Sequence, residues 1–226
     1  MRITIKITFI FLLILIPSFT FSQTTSSKLK SLIPKNWEVL TYAEGSLNAD
    51  NLDDLAIIIQ PKNTNIKNRK LLIFFKQNQS YQKILSKEIP EWTYRDQEAC
   101  MSDAIDEDSL GIKNKILDIS FSDFNYCSNW YGLEWKYRFK YIQSQFVLTG
   151  FDYWLLYKTD GTLKQYSGNF LTKKLKITLS NGFDENIQPK ITWSSLKPIV
   201  PNTLQQIQFQ HNQSALDQMT SNELKE

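Results

Sequence analysis

The chain has 226 residues, with 26 Lys and Arg against 23 Asp and Glu, and its charges are interspersed rather than gathered into a field. A net charge of +3 distributed in this way excludes a nucleic-acid surface built on charge. One histidine and two cysteines leave little for a Ser-His or Cys-His nucleophile or for a four-ligand zinc site.

Arg2 and Lys6 precede an almost unbroken apolar run over residues 7–16, and Pro17 and Ser18 lead to Thr20, Phe21 and Ser22. Small residues stand where a signal peptidase reads, so residues 1–22 are expected to be a secretory signal peptide cut after Ser22. The alternative is an uncleaved anchor, but the run is about half of the ~20 residues that a spanning helix needs. No cysteine stands near the cut to carry a lipid. The expected product is a periplasmic or secreted protein with no transmembrane span, beginning at Gln23.

Residues 23–33 are polar and Ser/Thr-rich at their start and are expected to form a flexible leader. A single β-rich domain is expected over residues 34–198. It opens with a short strand at Trp37, Glu38, Val39 and Leu40. Residues 55–59 (Leu-Ala-Ile-Ile-Ile) and 71–75 (Leu-Leu-Ile-Phe-Phe) are continuous apolar runs, which implies strands buried on both faces. Residues 81–85 return antiparallel through the polar turn at Gln77, Asn78, Gln79 and Ser80. Residues 88–114 lose the pattern and read as a long excursion carrying Asp103, Asp106, Glu107 and Asp108.

Periodicity then returns. Leu117, Ile119 and Phe121 alternate with polar residues, and Leu133, Trp135, Tyr137, Phe139 and Tyr141 alternate with Glu134, Lys136, Arg138 and Lys140. Period two means half-buried strands. Gln143-Ser144 turns the chain into residues 146–157, Asp160-Gly161 makes the next hairpin turn into residues 163–171, and Leu175, Ile177 and Leu179 alternate once more. The expectation is a mainly β fold built as an antiparallel meander of five strands from about Ile116 to Ser180, with two packed sheets as the two-layer form. Beyond Phe183 the chain reads as irregular, with Trp193 packing back onto the sheet. Residues 199–226 are expected to be a polar C-terminal extension, with helical periodicity through Leu216 and Met219 but too few apolar residues to hold it down.

Cys100 and Cys127 form an isolated pair in the exported part, and the simplest reading is a disulfide worth roughly 3.5 kcal/mol through loop closure. Two buried thiols are the alternative. The acidic group around Asp103 to Asp108 reads as a solvated loop, because a working carboxylate pair needs a defined separation and one raised pKa. His211 lies in the tail, away from any nucleophile in sequence. Lys136, Arg138 and Lys140 share the polar face of one strand, which alternation explains without a nucleic-acid ligand. Trp130, Tyr131, Tyr153, Trp154 and Tyr157 load both faces of one strand pair, so either a second layer covers them or an aromatic binding surface remains.

The most informative stretch is Gly45-Ser46-Leu47-Asn48-Ala49-Asp50-Asn51-Leu52-Asp53-Asp54-Leu55, with oxygen-bearing side chains on alternate positions before an apolar run. Ser46, Asn48, Asp50 and Asp54, with the carbonyl of Leu52, occupy the first, third, fifth, ninth and seventh positions of a loop that surrounds a hard cation. The stretch resembles the calcium loop of FG-GAP or VCBS repeats, written G-D-L-N-G-D-G-x-D-D-L, and matches it at Gly45, Leu47, Asn48, Asp50, Asp53, Asp54 and Leu55. Ser46 replaces a charged first ligand, and Asn51 replaces the glycine at the tightest point of the turn. A single copy without an internal period is not an integrin-like propeller.

The wider chain is similar to small exported proteins of Gram-negative bacteria that carry half an FG-GAP repeat and have no assigned activity. The resemblance implies a weak structural Ca2+ site and no catalytic residues. The other reading of the loop is a turn that keeps its shape without metal, with Asn48 and Asp50 bonded to their own backbone. The functional expectation is an exported, non-enzymatic binding or accessory protein whose partner is a protein or envelope ligand. A periplasmic immunity or inhibitor protein and a carboxylate-based envelope hydrolase are the alternatives.

Overall fold

The computed structural model describes residues 27–63, 68–93, 103–124, 130–196, 202–220 and 223–224. Among these residues the fold is mainly β, with two antiparallel sheets and two short helices. Among the described residues, no helix is long and apolar enough to cross a membrane.

The small sheet is a four-stranded meander of β1 (Trp37–Gly45), β2 (Asp54–Pro61), β3 (Arg69–Gln77) and β4 (Ser80–Ile89). Its two central strands are the continuous apolar runs, and each face has its own cover. Ala56, Ile58, Leu71, Ile73, Phe75 and Leu85 point into the main core, whereas Leu55, Ile57, Leu72 and Phe74 point outward under Leu29. Leu29 belongs to α1 (Ser27–Leu32), so the end of the expected flexible leader is a docked helical turn. Its one fully buried apolar side chain supplies the lid that a doubly apolar sheet needs.

The large sheet has the order β12-β11-β10-β9-β8-β7-β6-β5. Its strands are β5 (Leu110–Lys113), β6 (Ile116–Phe124), β7 (Tyr131–Ile142), β8 (Gln145–Tyr157), β9 (Thr162–Asn169), β10 (Lys174–Asn181), β11 (Lys190–Leu196) and the two-residue β12 (Glu223–Leu224). The hairpin turns fall where the sequence placed them. Gln143 and Ser144 both take positive φ (48° and 63°), as a two-residue turn requires, and Gly161 sits at 73°. Alternation also holds: Leu133, Trp135, Tyr137 and Phe139 are buried while Glu134, Lys136 and Arg138 are half-exposed on the other face.

The expected five-stranded meander is therefore the middle of a wider sheet. β5 lies inside the excursion, where Leu110 and Ile112 are too short a run to show a period. β11 lies in the stretch read as irregular, and Trp193 does not pack back onto the sheet but stands 64% exposed. The two sheets meet at one corner, where the Thr41 hydroxyl donates to the Glu107 carbonyl at 2.8 Å. There a Cβ on Gly45 would stand 2.8 Å from Ile112 Cγ2, so only glycine lets β1 come this close to β5.

The C-terminal segment is part of the core rather than a loose extension. The Leu148 N–H donates to the Asn202 carbonyl and the Leu204 N–H to the Phe146 carbonyl, covering the β8 edge before β9 begins. Leu204, Ile207, Phe209 and, from α2 (Gln213–Thr220), Ala215, Leu216 and Met219 are all buried. Few apolar residues suffice because each faces an aromatic surface that the small sheet leaves open. Phe209 packs 5.2 Å from Phe121 and 5.1 Å from Tyr137, ring centre to ring centre. Phe209→Ala should cost ~3–5 kcal/mol in urea unfolding. A loss under about 1 kcal/mol would mean that this segment does not cover the sheet.

Candidate functional site

The calcium-type loop leaves β1 at Gly45 and enters β2 at Asp54, so it occupies the corner between the sheets. Asn51 takes φ 59°, which places it in the conformation that the resemblance assigns to glycine. The turn keeps its shape through its own backbone. Asn48 Oδ1 accepts the Asp50 N–H at 2.8 Å, and Asp50 Oδ1 accepts the Leu52 N–H at 2.9 Å. The second Asp50 oxygen accepts the Asn48 amide at 3.0 Å, and the Ser46 hydroxyl donates to the Asn48 carbonyl at 3.3 Å.

Asp54 is fully buried, and its carboxylate accepts the Leu47 N–H at 2.8 Å and the Lys76 N–H at 3.0 Å. Burial pushes its pKa up, while these backbone donors oppose the shift. A cation would find the turn geometry and two carboxylates, Asp50 and Asp54, whose oxygens already serve the loop and the start of the sheet. The fit is therefore partial, and the loop's clearest role is to seal a strand entrance. Among the described residues, no group of three or more acidic, His or Cys side chains stands together as a metal cluster. Cys100 and Cys127 lie outside the described residues.

Residues 103–109 with β6 and β7 form a cleft of ≈ 650 Å³ whose lining includes Asp103, Asp106, Asp108, Glu134, Ser120 and Ser122. Two of its four carboxylates have structural work. Asp103 pairs in two-pronged fashion with the buried guanidinium of Arg69, Nη1 to Oδ1 at 2.7 Å. Asp106 accepts the Asp108 N–H at 3.0 Å and the Ser109 hydroxyl at 3.1 Å, closing a turn. Glu134 differs, because burial and the nearby Asp106 raise its pKa, with Lys136 opposing.

His211 is not in a free tail. Its Nε2 lies 3.4 Å from the buried Asp123 carboxylate, and its ring stacks on Trp92 at 4.8 Å. The pair joins the C-terminal segment to β6, a contact between residues far apart in sequence that no local pattern announces.

The aromatic strand pair divides by face. Tyr153 is buried, and Trp154 lies half-exposed on the outer face under the Lys136 ammonium, 5.6 Å from the ring centre. Trp130 stands exposed at its strand end.

A further departure from burial lies on the core face of the large sheet. Register places Tyr153, Tyr166, Ile177 and Thr192 in one row across β8 to β11, and Leu155, Lys164, Leu179 and Lys190 in the next. Both rows lie on the core face of the sheet; that face is covered at β8, and on β10 it stays covered at Leu175 but opens along these rows, where Leu179 is 42% exposed. Lys164, Tyr166, Ile177, Leu179, Lys190 and Thr192 enclose a shallow groove of ≈ 230 Å³. Its chemistry is an apolar floor edged by two ammonium groups, with no carboxylate in the lining. The sequence signal was the alternation of Leu175, Ile177 and Leu179; it showed a half-apolar strand but not that its cover ends.

Glu134 supplies one part of the pH dependence of stability, beside Asp54 and Asp118, which burial also raises. A carboxyl group whose folded pKa lies above its ordinary 4.5 binds its proton longer in the native state. Its contribution is present at low pH and lost as pH rises from that value through the raised one. Glu134→Gln should therefore raise stability near neutral pH and flatten the fall in urea midpoint above pH 4.5; a variant with the wild-type slope would remove Glu134 as its cause.

Comparison with protein families, with characterised proteins and with solved structures returns no match, so the two sheets and their bare face stand on their own geometry.

Proposed function

We propose that this chain is an exported, non-enzymatic binding or accessory protein that docks a protein partner on the bare core face of β9 to β11. The observation that carries the reading is the pair of rows just described. Tyr166, Ile177 and Leu179 form an apolar floor between Lys164 and Lys190, a surface that water covers poorly and that no carboxylate in the lining neutralises. A shallow sheet face with this composition suits an apolar peptide segment carrying carboxylates better than an enclosed small molecule. Export rests on the N-terminal segment, and a Cys100–Cys127 bridge belongs to the same compartment.

Peptide-display selection on the wild-type protein should enrich acidic segments with large apolar residues. Lys164→Glu with Lys190→Glu should weaken those peptides at least about tenfold and select basic ones instead. Absence of enrichment, or peptides indifferent to the charge reversal, would sink the reading.

A structural calcium role for Ser46, Asn48, Asp50, Leu52 and Asp54 is the accessory part of this proposal. A cation must displace the Asn48 amide from Asp50, so its affinity is low and its effect is stabilisation at millimolar calcium. The secreted protein, recovered with Gln23 as its first residue, should melt a few degrees higher in millimolar calcium than in chelator, and Asp50→Ala should abolish the difference. Identical curves would leave the loop as a turn, and recovery with Met1 in place would remove export.

The acidic cleft supports a second reading, a carboxylate-based hydrolase of envelope polymers with Glu134 as its proton donor. Raised by burial and by Asp106, Glu134 has the property that such chemistry needs. Polymer turnover lost in the Glu134→Gln variant would move the assignment to this reading.

A further inference from the structure

The small sheet gathers positive charge beside α1, far from the groove on β9 to β11. A hollow of ≈ 260 Å³ there brings together three ammonium groups from three segments: Lys30 of α1, Lys35 of the turn into β1 and Lys62 just beyond β2. All three side chains are exposed, and among the described residues none is in an ion pair. The one carboxylate in the lining, Glu38, already accepts the Gln60 side-chain amide at 2.9 Å. The stretches that adjoin these segments in the chain, residues 23–26 and 64–67, contain no acid.

The backbone holds these lysines together. The Lys62 N–H donates to the Asn36 carbonyl at 2.9 Å, which ties its segment to the turn bearing Lys35, and the Trp37 N–H closes that turn onto the Pro34 carbonyl at 3.0 Å. Leu29, buried against the sheet, anchors the helical turn that presents Lys30. Lys70 of β3 sets its ammonium 5.4 Å from the ring centre of Trp37, which lines the hollow, and so adds a fourth positive charge beside it.

We propose that this hollow binds a phosphate monoester on a carbon stem, the group that a free sugar phosphate shares with a phosphatidic acid headgroup. Three ammonium groups and one carboxylate leave the lining at +2, which a phosphate monoester, carrying about −1.5 to −2 near neutral pH, cancels. A carboxylate ligand brings only one charge. Lysine suits the task because its ammonium is a compact charge on a flexible stem, so the three can close on the terminal oxygens from different sides. Ile33, Pro34 and Val39 give the carbon stem an apolar wall. The ammonium groups remain in contact with water, so binding is modest, with a dissociation constant on the order of 0.1–1 mM at low ionic strength, and weakens as salt is added.

Two probes test the site at low ionic strength: calorimetric titration with glucose 6-phosphate, and flotation with phosphatidylcholine vesicles that carry phosphatidic acid. The wild type should bind at least one of them, and which one identifies the source of the phosphate; glucose and plain phosphatidylcholine should not bind. Lys35→Glu with Lys62→Glu should weaken that binding at least about tenfold at an unchanged melting temperature. Lys113→Glu with Lys140→Glu makes the same change of net charge at exposed positions on the large sheet and should leave affinity within about twofold. Lys35→Gln with Lys62→Gln decides the matter if the charge reversal does not fold. Failure of both phosphate probes to bind, binding that survives the Lys35 and Lys62 changes, or an equal loss in the distant pair overturns the proposal. None of these variants alters a residue of the β9 to β11 groove, so the peptide selection is judged separately.

Discussion

The structure is governed by an inequality of area between its two layers. An eight-stranded sheet presents an apolar face to a four-stranded one, and burial of that face is the main favourable term in folding. The small sheet cannot cover it. Trp135, Tyr137, Tyr153, Phe139 and Phe151 lie under the covered part, and the C-terminal segment is drawn in to cover Phe121 and Tyr137. Beyond β8 the cover narrows: Leu175 and Leu196 stay buried, while the same alternation leaves Ile177 and Leu179 against solvent.

That inequality separates the strands that hold the fold from those that can serve a partner. β5 to β8 are fixed by side-chain packing on the core face and by charge pairing on the outer one, where Arg138 holds Asp152 and Asp152 accepts the Ser167 hydroxyl at 2.7 Å. β9 to β11 are held chiefly by their ladders. A surface carried on regular strands is more precise than one on loops, and it presents its side chains in rows. The cleft of the excursion differs, since two of its acids, Asp103 and Asp106, tie the chain to itself through Arg69 and Ser109.

Much of the fold was legible because it depends on local period. The strands of the small sheet, the β6 to β10 meander and its turns all follow from apolar alternation, continuous runs and Asn, Gly or polar turn pairs. Three parts were not legible. β5 at one edge of the large sheet and β11 next to the other are strands of mixed composition, and such strands are defined by their neighbours more than by their own sequence. The C-terminal segment owes its packing to a surface far away in the chain. The loop was readable in shape down to the strained Asn51, whereas the inward commitment of Asp54 to Lys76 depends on β3, which no spacing within the loop reveals.

The buried Arg69 side chain links parts of the molecule that the topology keeps separate. Its guanidinium donates to the Gln60 side chain on β2, the Thr93 carbonyl after β4 and Asp103 in the excursion, while its backbone belongs to β3. Removing any one of these acceptors leaves a cation short of partners in a dry place, which is far more costly than the contact itself. The four segments therefore cannot open one at a time. In amide exchange they should behave as a single cooperative unit, giving the stretch around Asp103 the protection of a central strand although its sequence has the composition of a loop.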